Sequence, residues 1–171
     1  VFGYDIVRDG NNKNGAFMEL NVTVYPRAVV EEYIELFEGT GLVPLRFEVE
    51  AHAVSRAVVP KGDTGTYMTL DFGKTRTGLT IVSNEAVRFT STIPLGGDTI
   101  TQSIAHNSNI SFAEAEKIKK QSNGMLEDTH NEMFSMIMPT VSSLKDEINK
   151  HYRYWNAHPD DFGKKRPVID G

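Results

Sequence analysis

The sequence predicts an α/β chain in which a small α+β unit is followed by a three-strand meander with helices. Short runs rich in β-branched and aromatic residues alternate with segments whose apolar residues have helical spacing. Three of the runs follow one another closely, at 67–72, 77–82 and 87–93, and this order indicates an antiparallel meander. A hydrophobic fraction of 39% over 171 residues is sufficient to bury a core.

Composition and charge exclude several classes of protein. Eighteen Lys+Arg against 23 Asp+Glu give a net charge of −5, which argues against nucleic-acid binding through a broad positive stripe. The absence of cysteine excludes disulfide scaffolds, thiolate zinc sites and cysteine nucleophiles. No apolar run approaches the roughly 20 residues of a membrane span. We therefore expect a soluble chain with no nucleic-acid partner and no membrane span.

The first half of the chain predicts a hairpin and a helix. Residues 1–7 and 17–24 alternate as strands do, and the polar cluster 9–15 between them is typical of a turn. Apolar residues at helical spacing predict a helix over 26–38, with Pro26 at its first turn, where its missing N–H costs nothing. Gly39 follows as a stop signal.

Shorter elements connect this unit to the meander and follow it. The sequence predicts a strand over 45–49, a helix over 51–59 and a boundary at 60–65. After the meander, Asp98 is a predicted N-cap for a helix over 98–107. Ser111 and Glu114 fit a capping box that opens the next helix, which should end near 123–124. The longest helical pattern runs over 129–155, with a kink expected at Pro139, and a further strand is expected from about Val168.

Three short motifs suggest chemistry but lack their required context. Asp71-Phe72-Gly73 matches the magnesium triplet of protein kinases, yet no catalytic loop, Gly-rich loop or strand lysine accompanies it. Gly73-Lys74-Thr75 resembles the end of a P-loop, but Met68 stands where the earlier glycine is required. The five histidines show no metal-ligand spacing. None of these motifs therefore predicts a site.

One constellation remains: a strand that ends in Asp71, then a glycine turn with the hydroxyls of Thr75 and Thr77, then a returning strand. Gly73 allows a close backbone approach, and successive N–H groups of such a turn form an anion-binding concavity. A carboxylate at the strand end can hold a hydrated Mg²⁺ beside phosphates. The alternative is that Asp and Gly serve only the conformation of the hairpin.

Three segments resemble the actin-like ATPase superfamily, in the branch that contains the type IV pilus assembly protein PilM and the cell-division protein FtsA. They are Leu70–Thr77, which resembles the second phosphate loop, Ile93–Ala105, and Ala115–Lys119. The helix over 26–38 and the following Gly-Thr-Gly-Leu-Val-Pro segment are similar to the same family. The resemblance implies an actin-like (RNase H-like) nucleotide-binding fold that is present in part.

The resemblance also implies the residues of a nucleotide site. Asp71, with Gly73, Lys74, Thr75 and Thr77, would face the phosphates of ATP, and Asp71 would hold Mg²⁺ through water. Glu116 and Lys119 would approach the nucleoside; the alternative is an ordinary surface ion pair. Gly96 and Gly97 fit a close-packing bend with a ligand-facing role. Lys74 and Arg76 depart from the small or hydroxyl residues of the family, and either phosphate binding or simple solvation would explain them.

By the same resemblance, residues 1–60 would be part of a 1C-type subdomain with connecting elements of lobe I. Residues 64–171 would be lobe II: strands 66–93 and helix 98–107 in IIA, and helices 111–155 in IIB. We expect a window from a longer bacterial protein, which begins after the first phosphate loop and ends before the adenine-binding loop, and which alone binds ATP weakly or not at all.

The implied function is that of a cytoplasmic PilM-like protein at the inner-membrane face of a type IV pilus machine. It would bind the N-terminal tail of a PilN-like membrane protein, with the pilus motor ATPases as further candidate partners. Any ATP hydrolysis would be slow, because the sequence offers no general base beyond Asp71 as a water-positioning group. The alternatives are a membrane-tethered FtsA-like division protein and a non-hydrolysing actin-fold scaffold.

Overall fold

A computed structural model describes residues 2–8, 18–121, 130–159 and 165–169 of the protein. In chain order the elements are β1 (Phe2–Arg8), β2 (Glu19–Val24), α1 (Arg27–Phe37), α2 (Glu50–Val58), β3 (Thr66–Phe72), β4 (Thr77–Ser83), β5 (Ala86–Ile93), α3 (Gly97–Ser108), α4 (Phe112–Gln121) and α5 (His130–Ala157). Among the described residues, no helix is both long and apolar enough to span a membrane.

Strands β1 and β2 form the predicted antiparallel hairpin, whose polar tip at 9–15 lies outside the described residues. One face of the hairpin carries exposed apolar side chains in cross-strand pairs: Phe2 with Val24, Tyr4 with Val22, and Ile6 with Leu20. The other face reaches β5 through polar contacts. Asn21 Nδ2 donates to the carbonyl of Val87 at 2.6 Å, and Arg88 pairs with Glu19 at 2.8 Å.

Helix α1 agrees with the prediction, but the strand predicted at 45–49 is wrong. Pro26 caps α1, and Gly39 and Gly41 follow it at φ +75° and +77°, a conformation that side chains disfavour. Residues 42–49 form no regular structure. A strand needs a neighbour to receive its hydrogen bonds, and no described strand lies beside this segment. The apolar pattern alone could not reveal that.

The predicted meander is confirmed as an antiparallel sheet with the order β3-β4-β5. Asp71 on β3 pairs with Gly78 on β4 in this register. Asn84 and Glu85 connect β4 to β5 with φ of 51° and 62°, the left-handed conformation that a tight hairpin requires. The carboxylate of Glu85 accepts a hydrogen bond from the amide of Gly62 at 2.8 Å and so holds the turn in place.

The core lies between one face of this sheet and α5. Leu79, Ile81 and Ile93 are fully buried there against Trp155. The indole N–H of Trp155 donates to the carbonyl of Pro167 at 2.8 Å and fixes the last described segment. Residues 165–169 pair with no described strand, and the rest of the strand expected from about Val168 lies outside the described residues.

The helices differ from the predictions mainly at their ends. The capping box is confirmed: the amide of Ser111 donates to Glu114 at 3.0 Å, and the amide of Glu114 donates to Ser111 Oγ at 3.2 Å. The predicted end of α4 at 123–124 lies outside the described residues. Helix α5 is continuous through Pro139. The predicted N-cap Asp98 is wrong, because α3 begins at Gly97, with Gly96 as its cap.

We expect Leu79→Ala to lower the free energy of unfolding by about 2–5 kcal/mol, since it removes a buried side chain and leaves a cavity. Urea unfolding followed by far-UV circular dichroism measures this change. The matched control is Leu36→Ala on α1, whose leucine is 71% exposed, and its effect should stay below about 0.5 kcal/mol. Equal losses for the two variants would contradict the placement of the core.

Candidate functional site

The turn between β3 and β4 has the geometry of an anion-binding loop. It is closed by a hydrogen bond from the Gly73 amide to the Arg76 carbonyl at 2.9 Å. Within the described residues, the amides of Lys74 and Thr75 donate no hydrogen bond, and the two side chains are exposed. Successive unpaired N–H groups in a turn are suitable donors for a phosphate or carboxylate.

Asp71 lies at the start of this turn with an uncommitted carboxylate. Its side chain is half-buried and makes no hydrogen bond or ion pair with any described residue. It extends from the sheet face opposite Leu79, because it pairs with Gly78 and side chains alternate between faces. A Cβ added at Gly78 would stand 3.7 Å from that of Asp71, so the glycine leaves this side of the sheet open.

A metal ion at Asp71 would need ligands from elsewhere. The described residues contain no group of three or more His, Asp or Glu side chains that could hold a metal by themselves. Mg²⁺ commonly keeps several waters and takes one or two carboxylates together with substrate phosphates. A single carboxylate beside spare turn amides fits that ligand set and does not fit a metal cage made of protein alone.

Gly96 packs directly on the turn. A Cβ added there would lie 2.6 Å from the Arg76 nitrogen, 2.7 Å from the Lys74 oxygen and 2.8 Å from the Gly73 oxygen, all of them backbone atoms. The amide of Gly97 donates to Gly73 at 3.0 Å, and that of Asp98 donates to Lys74 at 2.7 Å. The carbonyls of the turn therefore cap α3, which explains why the helix starts before the predicted Asp98.

The close-packing interpretation has direct geometric support at Gly96, whereas a Cβ added at Gly97 would make only ordinary contacts, at 3.6–3.8 Å. The amide of Gly96 donates to Thr99 Oγ1 at 3.3 Å, and the amide of Gly97 is bound to the turn. Both N–H groups are thus engaged within the protein. A ligand could therefore contact this pair only because the two residues have no side chains to keep it away. The ligand-facing role stays a prediction.

The side chains of Thr77 and Arg76 have described partners within the protein, unlike that of Lys74. Thr77 is 1% exposed, and its hydroxyl donates to the Leu95 carbonyl at 2.6 Å, on the core side of the sheet and away from Asp71. Thr77 therefore supports the turn from the core side of the sheet. Arg76 forms an exposed ion pair at 3.1 Å with Glu50, at the start of α2. Lys74, by contrast, has no described ion-pair partner.

Glu116 and Lys119 on α4 lie against the first turn of α3. Lys119 Nζ is 2.6 Å from Glu116 Oε2, 2.7 Å from Thr101 Oγ1 and 3.0 Å from the Gly97 carbonyl. It would also stand 3.6 Å from a Cβ at Gly97. The structure thus brings the predicted nucleoside pair next to the glycines that touch the turn.

The Lys119 ammonium, followed by the hydroxyl of Thr101, lowers the pKa of Glu116 from its ordinary value of 4.5 to about 2. Lys120, at 3.3 Å from the other carboxylate oxygen, acts in the same direction. Because the folded pKa lies below the unfolded one, this carboxylate stabilises the fold above about pH 4.5 and loses that effect as the pH falls towards 2.

Sequence reasoning missed two residues of this region, Thr101 and Glu50. Thr101 is fully buried on α3 and contacts both members of the α4 pair. Its only signal was its position four residues after Gly97 on the inner side of a predicted helix. Glu50 gave no signal, because its partner Arg76 is 26 residues away along the chain.

Comparisons with known sequences identify one family, and comparisons with solved structures identify one fold. The family model described as cell division protein FtsA matches residues 68–153. The FtsA proteins of Enterococcus hirae and Enterococcus faecalis are 26% and 27% identical over 123 residues, which is 70% of this chain. The matched part is only 28% of the length of each relative.

Two solved structures share the fold. A chain of a PilM-PilN type IV pilus biogenesis complex superposes with a TM-score of 0.67 at 19% identity and covers 91% of this chain and 45% of its own length. The ethanolamine utilization protein EutJ from Carboxydothermus hydrogenoformans gives 0.58 at 21% identity, over 79% and 54%. The predicted fold class, a partial actin-like α/β fold, is confirmed.

We expect Gly96→Ala to lower the free energy of unfolding by about 1–3 kcal/mol, since its Cβ would meet three backbone atoms that cannot move aside singly. Gly97→Ala is the control: its Cβ would meet atoms at 3.6–3.8 Å, which is ordinary contact. Thermal unfolding of the two variants measures the difference. If Gly96→Ala proved as stable as Gly97→Ala, the close contact between turn and helix would be refuted.

Proposed function

The chain belongs to the family of the cell division protein FtsA, and from this premise we propose that it is the nucleotide-binding part of an actin-like protein that binds Mg·ATP. Within that family we propose a PilM-like role at the cytoplasmic face of the inner membrane, in the assembly platform of a type IV pilus. The chain spans 28% of the relatives it matches, so the activity and partners of the whole protein are part of the proposal.

The convergence of two separate groups of residues on the Gly96–Gly97 pair carries the nucleotide proposal. One group is the turn, with the spare amides of Lys74 and Thr75 and the uncommitted carboxylate of Asp71. The other is the Glu116–Lys119 pair on α4. A nucleoside triphosphate needs anion donors and polar groups for its sugar side by side, and this arrangement supplies both.

Each residue has a role in this proposal. The amides of Lys74 and Thr75 would donate to phosphate oxygens, and the exposed Lys74 ammonium would add a positive charge close by. Asp71 would hold Mg²⁺ through water, and the ion would neutralise phosphate charge when bound. Glu116 and Lys119 would hydrogen-bond the ribose hydroxyls. Thr77 would support the turn through Leu95 without touching the ligand.

Hydrolysis, if the whole protein performs it, would be slow. Phosphoryl transfer to water requires a group that orients the attacking water in line with the leaving phosphate. In the described part of the site, Asp71 has an uncommitted carboxylate for this purpose, whereas Glu116 is bound to Lys119 and Thr101. We therefore propose at most a weak ATPase, in which nucleotide binding itself tunes partner contacts.

Different observations favour the two candidate cellular roles. The superposition on a chain of a PilM-PilN complex favours the pilus role and a PilN-type tail as partner, with pilus motor ATPases as further candidates. The family model and the two Enterococcus relatives favour an FtsA-like division protein. A terminal membrane-binding amphipathic helix in the complete gene would support the division role, and a neighbouring PilN-like gene would support the pilus role.

In the full-length protein, we expect Asp71→Ala to weaken Mg·ATP binding by at least about tenfold, because the ion loses its protein carboxylate. Isothermal titration calorimetry with and without Mg²⁺ measures the affinities. The difference in affinity between the variant and the wild type should nearly vanish when Mg²⁺ is absent. Asp146→Ala, at an exposed position on α5, makes the same change of charge and should leave the affinity unchanged. An affinity unaffected by Asp71→Ala would remove this residue from the site.

We also expect Glu116→Ala and Lys119→Ala each to weaken ATP binding by about tenfold, because each removes a charged hydrogen-bonding partner of the ribose. Equilibrium dialysis with labelled ATP measures both, and Lys117→Ala, an exposed lysine of the same helix, is the matched control. If both variants bound ATP as the wild type does, the pair would be an ordinary surface ion pair.

A further inference from the structure

We propose that Thr101 is a positioning residue, which fixes the Glu116–Lys119 pair in the geometry that binds the nucleoside and joins it to the phosphate-binding turn. This inference rests on the proposed function, since the nucleoside pair is part of that site. It adds a residue on α3, outside both groups that the sequence indicated, and gives it a role that requires no contact with the ligand.

The contacts of the Thr101 hydroxyl set it apart from a helix residue that simply bonds its own backbone. The oxygen is 2.5 Å from Glu116 Oε2 and receives a hydrogen bond from Lys119 Nζ at 2.7 Å. It is also 3.0 Å from the Gly97 carbonyl, one turn back on α3. A hydroxyl has one proton to donate, and a charged acceptor at the shorter distance is the stronger partner.

Burial makes this arrangement rigid. Thr101 is completely buried, whereas the side chains of Glu116 and Lys119 are 28% and 25% exposed. Two long side chains at i and i+3 on a helix surface normally gain little from pairing, because holding them in one geometry costs rotamer freedom. A buried hydroxyl that bonds both partners removes that freedom before any ligand arrives.

The same contacts connect the nucleoside side of the site to the phosphate side. The Lys119 ammonium lies within hydrogen-bonding distance of Glu116, Thr101 and the Gly97 carbonyl, and it would exchange one of these acceptors for a ribose hydroxyl when the nucleoside binds. The amide of Gly97 in turn donates to the Gly73 carbonyl in the turn. Thr101 thus holds Lys119 next to Gly97, which contacts both the turn and α4.

The test compares Thr101→Val, which keeps the shape and loses the hydroxyl, with Thr101→Ser, which keeps the hydroxyl, in the full-length protein. Calorimetry measures binding of Mg·ATP and of Mg·tripolyphosphate, which lacks the nucleoside. We expect Thr101→Val to weaken ATP about tenfold, to leave tripolyphosphate unchanged, and Thr101→Ser to stay within about twofold of the wild type. Thermal unfolding identifies a variant that does not fold.

Titration of the Glu116 carboxyl by carbon-detected NMR gives a readout that needs no ligand. We expect Thr101→Val to raise the pKa of Glu116, because the carboxylate loses a donor, and Thr101→Ser to restore it. An unchanged pKa, or equal loss of ATP and tripolyphosphate binding, would overturn the positioning role. A wild-type protein that binds tripolyphosphate and ATP equally would overturn the nucleoside role of the pair, and one that binds neither would overturn the proposed function itself.

Discussion

The candidate site depends on the absence of one side chain, that of Gly96. Because nothing extends from this residue, the first turn of α3 approaches the backbone of the β3–β4 turn closely enough for two hydrogen bonds, from Gly97 to Gly73 and from Asp98 to Lys74. These bonds use the turn's carbonyls and leave the amides of Lys74 and Thr75 without a described acceptor. The helix therefore determines which groups of the turn remain for a ligand: α3 binds the carbonyls, and the amides stay available.

Electrostatics at the site follow from this packing. The amides at the start of a helix usually attract anions, but the first amides of α3 are already bound to the turn. Positive character near the turn is supplied instead by Lys119, which Glu116 partly neutralises, and by Lys74 and Arg76, of which Arg76 pairs with Glu50. A ligand would thus bind donors from several elements. Its affinity would depend on the contacts that fix those elements relative to one another.

The sequence predicted the meander and the amphipathic helices well because their patterns are local. It also indicated Asp71, Gly96 and the Glu116–Lys119 pair, through their similarity to a known family. It failed where the decisive partner is distant in sequence. The strand predicted at 45–49 has no described neighbour, the N-cap of α3 is displaced by carbonyls of the turn, and Thr101 acquires its contacts only when α3 and α4 pack together.

The described contacts of the β1–β2 hairpin with the rest of the chain suit a hairpin that opens without unfolding of the whole chain. Its described hydrogen bond and ion pair with β5 are made by Asn21 and Glu19, while its paired apolar side chains are exposed. None of the described side chains of these two strands belongs to the buried core that β4 and α5 share. Local opening of the hairpin should therefore require less free energy than global unfolding, and its amides would exchange with solvent while the sheet beneath stays closed.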